Sequence, residues 1–273
     1  MPWRAAAKAV LVDIDAEAVP IWSQLAERIG KRTRLVTVAH VSNVTGVVAP
    51  VAEWIETAHA AGVPVMIDAS QSIAHMKIDV HALEVDFMAF SSHKMFGPNG
   101  VGVLYVRRDR YRDLGLGNLG GGMVSRHAEE SFEPREAPFR YEAGTPNIEG
   151  VIGLGAAVDY VLAIGLDQIA AHSRALGDQL LRGLAEIDGA TVLGRSAKER
   201  IALATVSLPL RAMRQQDVAR FLADAHGIFV SGGHHCAHVL HERVHLDGTL
   251  RASAQIYNDE SDIEALLRAL REL

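Results

Sequence analysis

The stretch Val63-Pro-Val-Met-Ile-Asp68 is a short apolar run that ends on a carboxylate, and it points to the fold class. Similar apolar runs span residues 34–40, 87–90 and 101–106. Continuous apolar runs joined by helices are typical of a mostly parallel α/β sheet that is covered on both faces. Ligands bind beyond the carboxyl ends of the strands in such sheets. We therefore expect a site formed by residues 40–43, 68–71 and 91–94.

The second half of the chain predicts a smaller domain. A long helical pattern from Ile148 to about Ile187 is broken near Gly165. The sequence then predicts strands over 202–208 and 228–231, a helix over 215–226 and a final helix over 261–273. Ser261 and Glu264 have the spacing of a capping box at the start of that last helix. We predict two domains, residues 1–163 and 164–273.

The composition indicates an ordinary globular protein. Of the 273 residues, 49% are apolar and 22% are charged, and the formal net charge is −6. A mildly acidic chain lacks the basic surface that nucleic-acid binding requires. We expect no membrane span, since an uninterrupted apolar run of roughly 18 residues is missing, and no secretory signal. Cys236 is the only cysteine, which excludes an internal disulfide and favours a reducing, cytoplasmic location.

Lys94 and Asp68 are the first candidate catalytic groups. Lys94 follows an apolar strand in Ser91-Ser-His-Lys94, where a desolvated amine can react with a carbonyl group. The side chains of Ser91, Ser92 and His93 offer donors for a phosphate. Asp68 ends a central strand, and a protonated pyridine nitrogen is a suitable partner for its carboxylate. The alternatives are a surface lysine and, for Asp68, the N-cap of a following helix.

The segment from Ser231 to His238 contains the third candidate, Cys236. A thiolate flanked by histidines can act as a nucleophile. The alternative is a buried, inert cysteine. A further alternative is a zinc site, because four nearby histidines are spaced four, three and four residues apart and would share one face of a helix. These histidines are His234, His238, His241 and His245.

Six motifs in order along the chain resemble the class V aminotransferase family, and among them the SufS-type (group II) cysteine desulfurases and selenocysteine lyase-like enzymes. They are His40-Val-Ser-Asn43, Ile67-Asp-Ala-Ser-Gln71, Ser91-Ser-His-Lys94, Tyr141-Glu-Ala-Gly-Thr-Pro146, Gly232-Gly-His-His-Cys236 and Leu250-Arg-Ala-Ser253. The resemblance extends from about Arg34 to the C-terminus. It implies the fold type I architecture of pyridoxal-phosphate enzymes: part of a seven-stranded, mostly parallel sheet, followed by a smaller α+β domain.

The resemblance implies a cofactor site for pyridoxal 5'-phosphate. Lys94 would bind the cofactor covalently, and Asp68 would pair with its ring nitrogen. Gln71 would bond the ring hydroxyl, and Ser91 and His93 would hold the phosphate.

The resemblance also implies a substrate site for L-cysteine, with L-selenocysteine as an alternative. Asn43 would contact cofactor and substrate, and Arg251 would bind the substrate carboxylate. Cys236 would take the sulfur as a persulfide, releasing alanine and supplying an acceptor protein for iron–sulfur cluster assembly. Thr145 would reach the phosphate in the neighbouring subunit, which implies a homodimer.

Three departures from the family pattern affect these expectations. The family has an amino-terminal region with a Gly-Thr-Thr phosphate loop and a histidine that stacks on the cofactor, and the sequence begins beyond the matching point. Ser231 stands where the family usually has an arginine, and Leu250 and residues 239–248 differ from the usual substrate pocket. We therefore expect these 273 residues to bind the cofactor weakly and turn over cysteine poorly. A non-catalytic remnant of the family is the alternative.

Overall fold

The computed structural model describes residues 2–210 and 213–273, and its strands form two four-stranded sheets and one hairpin. The strands are β1 Val36–Ala39, β2 Val65–Asp68, β3 Phe87–Ser91, β4 Gly102–Val106, β5 Val124–His127, β6 Phe132–Pro134, β7 Thr191–Val192, β8 Leu203–Ser207, β9 Ser231–Gly233 and β10 Thr249–Ser253. The α-helices are α1 Pro2–Ala6, α2 Leu25–Arg28, α3 Val51–Ala60, α4 Ile148–Ile164, α5 Leu166–Ala185, α6 Gln215–His226, α7 His238–Arg243 and α8 Glu260–Arg271. Short 3-10 helices span Trp22–Gln24, Ser92–Met95, Arg108–Asp113 and Phe139–Tyr141.

The first sheet has the order β1-β2-β3-β4. Strands β1, β2 and β3 are parallel, and Ala39, Asp68 and Ala89 lie side by side across them. Strand β4 is antiparallel to β3. The short connection between β3 and β4 explains this direction, because a parallel partner needs a longer crossover. The prediction of a mostly parallel α/β sheet is confirmed.

Helix α3 covers one face of this sheet through an apolar stripe. Val51, Trp54, Ile55 and Ala58 are buried in one cluster with strand residues such as Ile67. Their spacing of three and four residues places them on one side of the helix. The spacing of apolar residues over 51–61 predicts a helix there, which the structure confirms, and its apolar face holds β1 and β2 in position.

The second sheet has the order β7-β8-β10-β9 and is antiparallel throughout. Helices α5, α6 and α8 pack on it around a core that includes Leu180, Leu222, Leu250 and Leu266. Helices α4 and α5 meet at Gly165 with a bend of 78°, as the break in the pattern predicted. The boundary between domains at residues 163 and 164 stays a prediction.

Two predicted details of the second half are wrong. Strand β9 spans Ser231–Gly233 instead of 228–231, because the ladder with β10 pairs only these residues. The N-cap of α8 is Asp259, whose side chain accepts hydrogen bonds from the amides of Ser261 at 2.8 Å and Asp262 at 3.3 Å. The proposed box of Ser261 and Glu264 fails because Asp259 begins the helix two residues earlier.

The amino-terminal segment lies against the second half of the molecule. The amide of Gly194 donates to the carbonyl of Glu17 at 2.7 Å, and Ala18 is buried with Val44 and Leu193. Leu240 of α7 packs against the same cluster, so this segment lies close to α7. Within the described ranges no single helix is long and apolar enough to cross a membrane, although α4 and α5 pass the same test as a bent pair.

Candidate active site

The ends of three parallel strands bring the predicted segments to one edge of the first sheet. The amide of His40 donates to the carbonyl of Asp68 at 2.9 Å, and the amide of Ala69 donates to the carbonyl of Ala89 at 2.8 Å. Asn43, Asp68 and the turn after Ser91 consequently occupy neighbouring positions. This is the edge where parallel sheets bind ligands.

The carboxylate of Asp68 is exposed at the end of β2. One of its oxygens accepts a hydrogen bond from the amide of Ser70 at 2.9 Å. Turns, not a helix, follow over residues 70–75, so the N-cap alternative is wrong. The carboxylate is placed to pair with a cationic group at the sheet edge.

Lys94 lies in the 3-10 turn after β3 and is half-buried. The sequence predicts an amine close to desolvated, and the structure buries Lys94 only in part. Lys94, His93 and Gln71 line one cavity of about 300 Å³, and His75 and Gln255 line it as well. That volume lies at the lower end of the range typical of small-molecule sites.

A tight backbone turn fixes the position of Lys94. The amide of Gly97 donates to the carbonyl of Ser92 at 3.1 Å. A Cβ atom at Gly97 would lie 2.2 Å from the buried Ser92 Oγ, a distance that side chains do not tolerate. A side chain at Gly97 would therefore force the buried Ser92 to shift, and the same turn carries Lys94, which lines the cavity.

The cavity-lining residue His75 connects the two halves of the molecule. His75 Nδ1 lies 2.9 Å from Ser173 Oγ on α5, and its Nε2 lies 2.8 Å from the side-chain amide of Gln255 beyond β10. Burial lowers the pKa of His75 to about 4, so the ring is neutral at pH 7. Sequence reasoning missed these residues, and the only signal was a histidine within the otherwise apolar run Ile73–Met76.

A second group of predicted residues surrounds Cys236. Its thiol is exposed, so the buried-cysteine alternative is wrong. The side-chain amide of Asn43 donates to the carbonyl of His235 at 2.9 Å. Arg251 Nη1 in turn donates to the carbonyl of Asn43 at 2.9 Å. The structure therefore links Arg251, Asn43 and the loop of Cys236, although they are far apart in sequence.

Arg251 has an unused hydrogen-bond donor. Its Nε is buried and has no partner within residues 2–210 and 213–273. Burial lowers the pKa of the guanidinium, and the nearby Cys236 acts in the opposite direction. A buried, charged donor without a partner favours an anion such as a carboxylate.

The histidines near Cys236 do not form the zinc site that was considered as an alternative. Helix α7 contains His238 and His241 but leaves His234 and His245 outside it. The rings of His234 and His238 are stacked at 4.6 Å, and His241 is fully buried. In the part of the chain that the structure describes, three or more metal-binding side chains nowhere converge.

Thr145 is separate from both groups. It lies in an exposed segment immediately before α4. In the described chain it is absent from the cavity lining. Its predicted contact with a neighbouring subunit stays a prediction.

The side chains at the sheet edge fit pyridoxal phosphate chemically. Lys94 offers an amine for its aldehyde, and Asp68 offers a carboxylate for its ring nitrogen. Ser91, His93 and Gln71 offer hydroxyl, imidazole and amide groups for its oxygens. Lys94, His93 and Gln71 line the same cavity, which supports the fit.

Comparisons with known proteins relate the chain to one family. The family model for class-V aminotransferases matches residues 1–266. A probable cysteine desulfurase from Halalkalibacterium halodurans is 39% identical over the whole of this chain and 67% of that protein. The chain spans about two thirds of the length of the curated relatives it matches.

Comparison with solved structures also shows a similarity to cysteine desulfurases. The apo cysteine desulfurase from Thermococcus onnurineus matches with a TM-score of 0.93 and 35% identity, over 99% of this chain and 68% of that one. A cysteine desulfurase from Escherichia coli matches with a TM-score of 0.89 and 35% identity, over 96% of this chain and 64% of that one. The likeness therefore includes both sheets.

Proposed function

The chain belongs to the aminotransferase class V family, and we propose that it is a pyridoxal-phosphate-dependent cysteine desulfurase that holds sulfur on Cys236. Its relatives named cysteine desulfurase support this function. The observation that carries the proposal is the hydrogen-bonded link from Arg251 through Asn43 to the loop of Cys236. This link supports the proposal because the guanidinium of Arg251 and the exposed thiol of Cys236 are both connected to Asn43, at the sheet edge that Lys94 follows.

Five side chains at the sheet edge would hold the cofactor: Lys94, Asp68, Gln71, Ser91 and His93. Pyridoxal phosphate supplies, when bound, an electron sink for reactions of an amino-acid substrate. The carboxylate of Asp68 would keep the ring nitrogen protonated, and the amine of Lys94 would hold the cofactor by its aldehyde group. These side chains lie at or near the ends of adjacent strands, so the sheet holds them in fixed positions.

Arg251 and Asn43 orient the substrate. The unpartnered Nε of Arg251 and the rest of its guanidinium bind the carboxylate of L-cysteine, and charge-assisted bonds of this kind are strong. Burial strengthens the interaction because little water competes. Asn43 holds Arg251 and the carbonyl of His235 at once, so the substrate and the thiol of Cys236 keep a defined relation.

Cys236 accepts the sulfur atom. Its sulfur bonds to the sulfur of L-cysteine, and the carbon–sulfur bond of the substrate breaks. The carbon keeps the bonding electrons and takes a proton, which gives L-alanine, and Cys236 is left as a persulfide. One cysteine and one thiol are thus converted to one alanine and one persulfide, without an external oxidant.

The sulfur transfer is tested with a variant of Cys236. The purified protein is supplied with pyridoxal phosphate and L-cysteine, and alanine and the persulfide are measured by mass spectrometry. We expect Cys236→Ala to reduce alanine formation to background, because no other thiol is present in the chain. His238→Ala is the matched control, since His238 is exposed two residues away and should leave the rate unchanged. A Cys236→Ala variant that forms alanine at the parental rate contradicts the proposal.

The proposal includes the protein's partners. We expect a homodimer in the cytoplasm that delivers sulfur to an acceptor protein for iron–sulfur cluster assembly, with L-selenocysteine as a second substrate. Support for the dimer comes from α4, which exposes large apolar side chains that a second copy can cover. These side chains are Ile148, Val151, Ile152 and Leu162.

A further inference from the structure

A chain of hydrogen bonds runs beneath the loop of Cys236. His241 and Thr249 are both fully buried. His241 Nδ1 lies 3.0 Å from the carbonyl oxygen of Ala237, and its Nε2 lies 2.8 Å from Thr249 Oγ1. On the other side of Thr249, the same Oγ1 lies 3.0 Å from His235 Nε2. Two histidines therefore share one hydroxyl next to the cysteine.

The carbonyl of Ala237 determines which atoms donate in the two hydrogen bonds of the His241 ring. A carbonyl oxygen only accepts, so His241 Nδ1 carries a proton. Burial lowers the pKa of His241 and keeps its ring neutral, which leaves Nε2 as an acceptor. The hydroxyl of Thr249 must then donate to His241 Nε2, its nearer acceptor; the carbonyl of Gly233 is 3.5 Å away.

Thr249 in turn determines which atom donates in its hydrogen bond with His235. Its only hydroxyl proton is used, so Oγ1 accepts from His235 Nε2. The carbonyl oxygen of Thr249, 3.2 Å from the same Nε2, also only accepts. His235 is therefore the Nε2–H tautomer, because burial lowers its pKa to about 4 and keeps it neutral. Its Nδ1 lone pair faces Ser231 Oγ at 3.4 Å.

We infer that Thr249 and His241 are positioning residues for Cys236: through His235, they fix one tautomer and hold the loop that presents the thiol. His235 and Cys236 have φ angles of +50° and +60°, in the left-handed region that non-glycine residues rarely adopt. Two successive residues remain in such a conformation only where neighbouring contacts impose it. The bond from His235 to Thr249 is such a contact, and the bond from His241 to Ala237 holds the other side of the loop.

The purpose of this arrangement rests on the proposed function, because that function makes Cys236 the sulfur acceptor. The hydrogen-bond chain itself does not depend on that function, since it is present in the protein without substrate. An experiment without cofactor and cysteine therefore tests the positioning unit separately from the desulfurase activity.

The test is nitrogen-15 NMR of the histidine rings, with signals assigned by His235→Gln and His241→Gln variants. In the unmodified protein we expect His235 as the Nε2–H tautomer and His241 as the Nδ1–H tautomer. Thr249→Val has the same shape but lacks the hydroxyl, so the signal of His235 should shift toward a mixture of tautomers. Hydrogen exchange over residues 234–238 should accelerate about tenfold, as expected for the loss of a hydrogen bond. Thr249→Ser retains the hydroxyl and should restore both readouts.

Three results would overturn the inference. The first is an unmodified protein in which His235 carries its proton on Nδ1, which needs no variant and so does not depend on how the variants fold. The second is a Thr249→Val protein with the parental signal and exchange rate. The third is a Thr249→Ser protein that behaves like Thr249→Val, which would assign the effect to packing of the threonine methyl group.

Discussion

Asp86 is a fully buried carboxylate immediately before β3, and it binds groups from three other elements. His59 Nε2 of α3 lies 2.8 Å from one oxygen, which also accepts from the amide of Val65 at 2.7 Å. The other oxygen accepts from Arg110 Nε at 2.7 Å and contacts Arg107 at 2.9 Å. Asp86 thus joins the starts of β2 and β3 at the end of the sheet opposite the site.

Asp86→Asn should lower the free energy of unfolding by about 2–3 kcal/mol, because buried hydrogen bonds to a charged group are lost. Urea denaturation at pH 7 measures this change. Asp109→Asn is the control: its carboxylate is exposed and pairs with Arg107 at the surface, so its loss should cost clearly less than the loss of Asp86. Equal destabilisation by the two variants would show that the buried network has no special role.

The same carboxylate predicts a pH dependence. Burial alone would raise the pKa of Asp86, but the bonds from His59, Val65 and Arg110 outweigh it and the pKa is lowered. The stabilisation is therefore complete above the unfolded pKa of about 4 and is lost as the pH falls through the lower folded value. Unfolding curves recorded at decreasing pH should show a shallower acid-induced loss for Asp86→Asn than for the parent.

Some site residues could be predicted from the sequence and others could not. Lys94 and Asp68 follow apolar strands directly, so the sheet rule places them at one edge. His241 and Thr249 carry no such signal: the histidine spacing suggested a metal site, and their contact depends on α7 packing against β10. Their partnership is a property of the tertiary structure alone.

The start of α8 offers a prediction at the scale of an element. Asp259→Ala should measurably lower the free energy of unfolding, because two amides at the helix N-terminus lose their acceptor. Glu264→Ala, which removes the carboxylate that the sequence suggested as a capping partner, should change stability by less than about 0.5 kcal/mol. Chemical denaturation of both variants measures these changes. A larger loss of stability in Glu264→Ala than in Asp259→Ala would indicate that Ser261 is the cap.

Helices were more predictable than strand details. The apolar stripe of α3 and the pattern of α6 indicated their positions, because helical periodicity is a local property. The extent of β9 could not be predicted from the local sequence. Ile228 and Val230 pack against the core, but only Ser231–Gly233 pairs with β10. Similarly, an apolar run such as β4 does not reveal its direction.

At the scale of the whole molecule, the candidate site is formed by both sheets. Lys94 lies in the turn after β3 of the first sheet, Arg251 lies in β10 of the second, and Asn43 bonds across to the loop of Cys236. On the cavity wall, the rings of Phe96 and Tyr257 meet edge to face with centroids 6.4 Å apart. The relative position of the two sheets is therefore part of the site geometry.

The proposed dimer can be tested on the exposed face of α4. Ile152 is 69% exposed, and Ile152→Glu should convert a dimer to a monomer, because a buried unpaired charge is costly at an apolar interface. Phe229→Glu is the matched control, since Phe229 is 87% exposed in the second half of the chain and should leave the dimer intact. Sedimentation velocity gives the result, and a parent protein that sediments as a monomer would exclude the dimer.

The central claim is that the carboxyl edge of the first sheet is a pyridoxal phosphate site built on Lys94. The most direct measurement is reduction with borohydride in excess pyridoxal phosphate, followed by peptide mapping of the modified lysine. The chain has few other lysines, at positions 8, 31, 77 and 198, so the map is unambiguous. We predict modification at Lys94, its loss in Lys94→Ala and its retention in Lys77→Ala. Modification that maps to another lysine, or that persists at the parental level in Lys94→Ala, would contradict the claim.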